Sequence, residues 1–189
     1  MGSNRAEVLG SFHLAPLEPV LSFWFGRLWP DAIVHFAPYG QLLEQLRGAC
    51  PSRPDSSADD QRVTLVLLRP EDLLRPDGRL PGEASADIAV ARAHLSEIAE
   101  ALADPPAPVP SIVGLPPASG FVRASPRLRR FDEWAREVIA DAIERCPLVH
   151  RVPLDDLEFL YGVNEVHDPV RDDYGHIPYT DEYFAAVGT

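Results

Sequence analysis

The chain has 189 residues, 46% of them apolar and 24% charged, which suits one globular domain with a core of its own. A formal net charge of −12 leaves no basic stripe to neutralise a phosphate backbone, which argues against nucleic-acid binding. All 17 basic residues are arginine, so lysine Schiff-base chemistry is excluded, and no run approaches the ~18 apolar residues of a membrane span.

Cys50 and Cys146 lie far apart, with no CxxC pattern, and read as two reduced thiols of a cytoplasmic protein. The first residues lack a basic segment followed by an apolar core, so no secretory signal is expected. The 20 prolines, about twice the usual share, fall between elements and imply stiff loops.

Glu7-Val8-Leu9-Gly10 reads as a first strand and Ser11 to Pro16 as the turn after it. Leu17, Val20, Leu21, Trp24, Phe25 and Leu28 then recur at helical spacing, with Pro16 suited to the first turn and Trp29-Pro30 to the stop. Trp24, Trp29 and Trp134 are expected in the core. Residues 33–37 predict a second strand, and a turn through Gly40 leads to a short helix carrying Leu42, Leu43 and Leu46. A polar loop covers 48–61. The run Val63 to Leu68 shows no alternation, as for a strand buried on both faces of a parallel sheet. After a loop over 75–85, the spacing predicts a helix over 86–103, a strand at 111–115, a helix over 125–146, a strand at 148–152 and a helical turn over 154–161.

Strands alternating with helices predict an α/β fold, a three-layer α/β/α sandwich on a mostly parallel five-stranded sheet of flavodoxin-like kind. Residues 1–189 are read as one domain. In such folds ligands gather at the carboxyl ends of strands, where Ser11, Gly40, Arg69 to Asp72 and Leu115 to Ser119 all fall. Asp173 stands three residues before His176, a spacing at which a carboxylate orients an imidazole and stabilises its protonated form. Ser11 is the candidate nucleophile, His176 its base and Asp173 the orienting acid. Asp172 is the alternative acid, and a helix-capping role is the alternative for Ser11. The backbone N–H groups of Gly40 and Ser11 are candidate oxyanion donors.

The serine after strand one, the glycine after strand two and the closing Asp173-Tyr174-Gly175-His176 resemble the SGNH, or GDSL-like, hydrolases. That family places an Asn after strand three, where this chain has Arg69-Pro70-Glu71-Asp72, so half of the implied oxyanion hole is missing. Three further stretches extend the likeness: Phe36-Ala37-Pro38-Tyr39-Gly40-Gln41, Val66-Leu67-Leu68-Arg69-Pro70-Glu71-Asp72, and Gly175-His176-Ile177-Pro178-Tyr179-Thr180 with Phe184 to Thr189. They are similar to the N-terminal region of FkbH-like (HAD-IIIC) proteins of polyketide and nonribosomal peptide biosynthesis. The resemblance implies an SGNH-like domain working with acyl or peptidyl carrier proteins beside a HAD-like phosphatase domain. It also implies no cofactor beyond the phosphopantetheine that a carrier presents.

Arg69, Asp72, Tyr39 and Tyr179 are expected to line the pocket, although Arg69, Glu71 and Asp72 also read as an ion-pair network. Arg123, Arg127 and Arg130, with Arg129, form the basic cluster, a candidate carrier-docking face or else a solvated helix face. His13 and His35 are expected to be structural or exposed. His167 and Asp168 lack a second histidine at ligand spacing, so no metal is expected. Two functions stay open: acyl transfer or ester and thioester hydrolysis by Ser11, and carrier docking without catalysis.

Overall fold

The structure, a computed structural model, describes residues 4–29, 31–48, 61–75 and 87–189. Five parallel strands form one sheet: β1 (Arg5–Gly10), β2 (Ile33–Phe36), β3 (Arg62–Leu67), β4 (Ser111–Gly114) and β5 (Val149–Val152). Their order is β2-β1-β3-β4-β5. Parallel neighbours need crossover connections, and the right-handed rule decides which face each crossover covers. The first runs from β1 to one side and every later one to the other. So α1 (Glu18–Leu28) covers one face, while α2 (Leu42–Leu46), α3 (Ile88–Ala103) and α5 (Pro126–Arg145) cover the opposite one. The result is a three-layer α/β/α sandwich.

The layers correspond to two cores. Leu9, Val66, Leu68, Leu95, Ile98, Val113 and Ile139 meet on the α3–α5 face. Val8, Phe12, Leu17, Tyr179, Tyr183 and Phe184 meet on the α1 face. Local chemistry starts the long helices. The Asp87 carboxylate accepts the N–H groups of Ala89 and Val90 ahead of α3, and the Ser125 hydroxyl accepts from Leu128 N–H, with Pro126 at the first position of α5.

Several expectations change. The strand expected over 33–37 spans Ile33–Phe36 at the edge of the sheet, where His35 takes the exposed one of its two expected placements. No residue of α1 is fully buried; Phe23 and Leu28 are exposed, and Trp24 and Trp29 are half-buried rather than core. A separate turn of helix, α4 (Gly120–Ala124), precedes α5. After the helical turn α6 (Leu157–Tyr161) come two helices the spacing did not announce, α7 (Pro169–Gly175) and α8 (Asp181–Gly188), the second returning to the α1 face. Cys146 is a free, buried thiol; Cys50 and most of the loops expected over 48–61 and 75–85 lie outside the described residues. Among the described residues no helix is long and apolar enough to cross a membrane.

Candidate functional site

A doubly wound sheet opens a crevice where its strand order reverses, outside the carboxyl ends of the strands on either side. Here that point lies between β1 and β3, and the register pairing Gly10 with Leu67 sets Ser11 beside the residues leaving β3. The Ser11 N–H donates to Leu67 O at 3.1 Å, prolonging the ladder. Its hydroxyl donates to Asp72 Oδ2 at 2.7 Å and accepts the Arg69 N–H at 2.9 Å.

Beneath it lies a buried ion-pair network. Arg69, with 0% of its surface exposed, donates from both terminal nitrogens to Asp172, at 2.8 and 2.9 Å, and from Nε and Nη2 to Asp72 Oδ1. Arg75 grips the same Asp172 carboxylate at 2.9 and 2.7 Å. Planar guanidiniums suit such paired contacts. Burial alone pushes the Asp172 carboxyl up, but the hydrogen bonds and charges of Arg69 and Arg75 outweigh it and hold the group below the usual carboxylate range. Glu71 Oε2 accepts from the Ser119 hydroxyl at 2.8 Å, while Oε1 stands 3.1 Å from Arg69 Nη1 without an aligned hydrogen bond. Burial raises the Glu71 carboxyl above its ordinary range against the pull of Arg69. Phe12 and Tyr179 flank the Arg69 guanidinium, each ring centroid 6.0 Å from its central carbon.

Over the network sit three rings. Tyr39 stacks on His13 at 4.7 Å and on His176 at 5.0 Å, and the two imidazoles are 6.5 Å apart and 25° from parallel. The phenol therefore overlaps both imidazoles, which lie side by side. The His13 N–H donates to His176 O at 2.9 Å and joins the two chain ends. His176 occupies the left-handed position that closes α7, with φ 51°, a conformation uncommon outside glycine and best tolerated by Asn, Asp and His. Its Nδ1 faces Arg75 Nη1 at 3.4 Å. A guanidinium only donates, so a hydrogen bond here would make Nδ1 the acceptor and put the proton on Nε2. A triad base needs the opposite tautomer, with Nδ1–H on a carboxylate and Nε2 free to accept.

Burial, then the Arg75 charge, lowers the His176 imidazole below the ordinary value of 6.5, and burial also lowers His167. The unfolded chain thus binds these protons more tightly, and acidification from about pH 6.5 downward costs stability. His176→Asn, in which Asn tolerates the left-handed backbone, is expected to flatten part of that acid slope, with His167 retaining the remainder. Thermal midpoints measured from neutral pH to pH 5 check this; parallel slopes for both proteins would refute the assignment.

The structure brings Ser11, Arg69 and Asp72 into direct contact and places Tyr39 and His176 together beside Arg75. Among the described residues no hydrogen bond joins Ser11 to His176 or Asp173 to His176; Asp173 is exposed, and the inward carboxylate is Asp172. Gly40 has φ +81° and open space at its missing Cβ, so its backbone is approachable. The Ser11 N–H is already taken by Leu67 O. Tyr179 is core rather than pocket, 1% exposed, with its hydroxyl donating to Pro117 O at 3.1 Å. Arg123 lies on α4, and Arg127 and Arg130 lie on α5, all exposed. His167 Nε2 meets Pro117 O at 3.3 Å, and no group of three metal-ligating side chains occurs among the described residues. Arg75 was not anticipated, nor were the contacts of His13 with Tyr39 and of Ser119 with Glu71. The alternation of charges from Arg69 through Glu71 and Asp72 to Arg75 was the available signal for the first of them.

No family model matches the chain, and no curated protein sequence does. Among solved structures it is similar to a crystal structure of the N-terminal part of the protein BF1531 from Bacteroides fragilis, described as containing a phosphatase domain complexed with Mg. The TM-score is 0.64 at 14% identity, over 99% of this chain and 50% of that one. The chain thus spans half the length of that structure, and the likeness is one of fold.

Proposed function

We propose that this chain is an SGNH-like domain that holds a carrier-borne acyl group for a HAD-like phosphatase partner and does not cleave esters with its own serine. The observation that carries this reading is the state of Ser11. Its hydroxyl proton is given to Asp72, its oxygen accepts the Arg69 N–H, and its own N–H is spent on Leu67. Attack would require breaking that arrangement, and the hydroxyl is hydrogen-bonded to Asp72 and Arg69 rather than to an imidazole. What remains at the crevice mouth suits binding. The Gly40 backbone is open, His176 offers an imidazole, and Tyr39 presents an aromatic face. The motif likeness to FkbH-like proteins supports the carrier and the partner, and the shared fold with half of a structure containing a phosphatase domain agrees with it.

A fluorophosphonate probe tests the reading. Wild type is expected to stay unlabelled, as is Ser11→Ala, while both bind holo acyl or peptidyl carrier proteins alike. Labelling that disappears in Ser11→Ala would restore the serine acyltransferase or esterase and overturn the docking function.

A further inference from the structure

The helices of this fold run against the strands, so the first turns of α3 and α5 reach the same carboxyl end of the sheet as Ser11 and Arg69. Between them lies a notch lined by Ile88, Arg92, Pro126, Arg127, Arg130 and Phe131. Its base is the small core of Leu74, Ala91, Val122, Leu128 and Phe131, and Leu74 adjoins Arg75 of the buried network. Arg92 comes from a segment more than thirty residues upstream of the sequence cluster, so only the fold reveals it.

Carboxylates outnumber arginines 29 to 17 in this chain, and several arginines on the helical surface find them: Arg47 pairs with Glu97, Arg129 with Glu133, Arg136 with Asp132 and Arg171 with Asp181. Arg92 and Arg130 pair with no carboxylate among the described residues. The Arg92 guanidinium is instead held over the Trp134 ring at 4.8 Å, which orders it without neutralising it. Among the described residues no carboxylate lines the notch. Cations gathered over an apolar floor, one of them fixed in place, match an anion whose oxygens take paired N–H bonds and whose attached carbon skeleton covers Ile88 and Phe131.

We propose that the notch formed by Arg92, Arg127 and Arg130 over Ile88 and Phe131 binds a phosphate group carried on an organic arm. That the arm is the phosphopantetheine of a carrier protein rests on the function proposed above; the phosphate site does not.

Titration of the full chain with inorganic phosphate, free 4′-phosphopantetheine and a holo carrier protein tests it. Wild type is compared with the Arg92→Ala/Arg130→Ala double variant and with Arg123→Ala, a change of one charge outside the notch. All three positions are exposed, and circular dichroism verifies folding. Phosphate and phosphopantetheine are expected to bind wild type, to lose about tenfold or more in affinity in the double variant, and to bind Arg123→Ala nearly as well as wild type. Tighter binding of phosphopantetheine than of inorganic phosphate confirms the contribution of the apolar floor. If both small ligands behave so while no holo carrier binds, the site stands and the carrier reading falls. Absence of phosphate binding, unchanged affinity in the double variant, or an equal loss in Arg123→Ala would overturn the site, the last by showing diffuse attraction.

Discussion

Arg69→Met is expected to remove about 3–5 kcal/mol of stability, the usual cost of breaking a buried ion pair from one side. The guanidinium joins three carboxylates, Glu71, Asp72 and Asp172, and is itself fully buried. Its loss leaves Glu71 without its cation, and Asp172 and Asp72 with Arg75 alone, the latter at 3.8 Å. Methionine restores most of the volume, so the effect is electrostatic rather than a cavity. Equilibrium urea unfolding measures the loss, and its pH dependence identifies the cause. The variant's deficit should shrink as acid protonates the stranded carboxylates. Arg69→Lys should recover only part of it, because one ammonium cannot supply the paired contacts to Asp172 and the Nε contact to Asp72 together. A wild-type urea midpoint for Arg69→Met would mean that the network contributes nothing.

The same network shows where reading residues in order succeeds and where it stops. The five strands and their crossovers follow from local patterns, and the convergence of strand ends follows from the fold class. Ser11 beside Arg69 was implied once β1 and β3 are neighbours, since their register matches Gly10 with Leu67. What the pattern could not supply was phase. Asp172 and Asp173 differ by about 100° around a helix axis, and nothing local says which one points inward. The short helix α7 went unannounced although its start carried a local signal, Asp168, which accepts the Arg171 N–H at 2.9 Å, followed by Pro169 at the first position. Its rotation, however, is set by two arginines about a hundred residues away. That rotation sends Asp172 to Arg69 and Arg75, leaves Asp173 in solvent, and turns His176 toward a cation instead of a carboxylate. A triad spacing thus became a structural latch.

The chain ends meet as the triad reading required, but through packing. Tyr179→Ala is expected to cost about 3–5 kcal/mol, as for other large aromatic truncations in cores. The Tyr179 ring lies 5.4 Å from Phe12, 4.9 Å from Tyr183 and 5.9 Å from Phe184, so it binds the segment after α7 to the turn after β1. Its removal opens a cavity under Arg69, strands the Pro117 carbonyl with only His167 for a donor, and loosens the bridge between His167 and Tyr179. Tyr39→Ala, by contrast, removes a ring that is 39% exposed and is expected to change stability by less than about 1 kcal/mol, with its effect falling on whatever enters the crevice. Urea unfolding of both variants separates the roles: a large loss for Tyr179 beside a small one for Tyr39 fits a core residue and a mouth residue. Equal small losses would return Tyr179 to the crevice wall, and the aromatic cluster would then no longer account for how the two termini are held together.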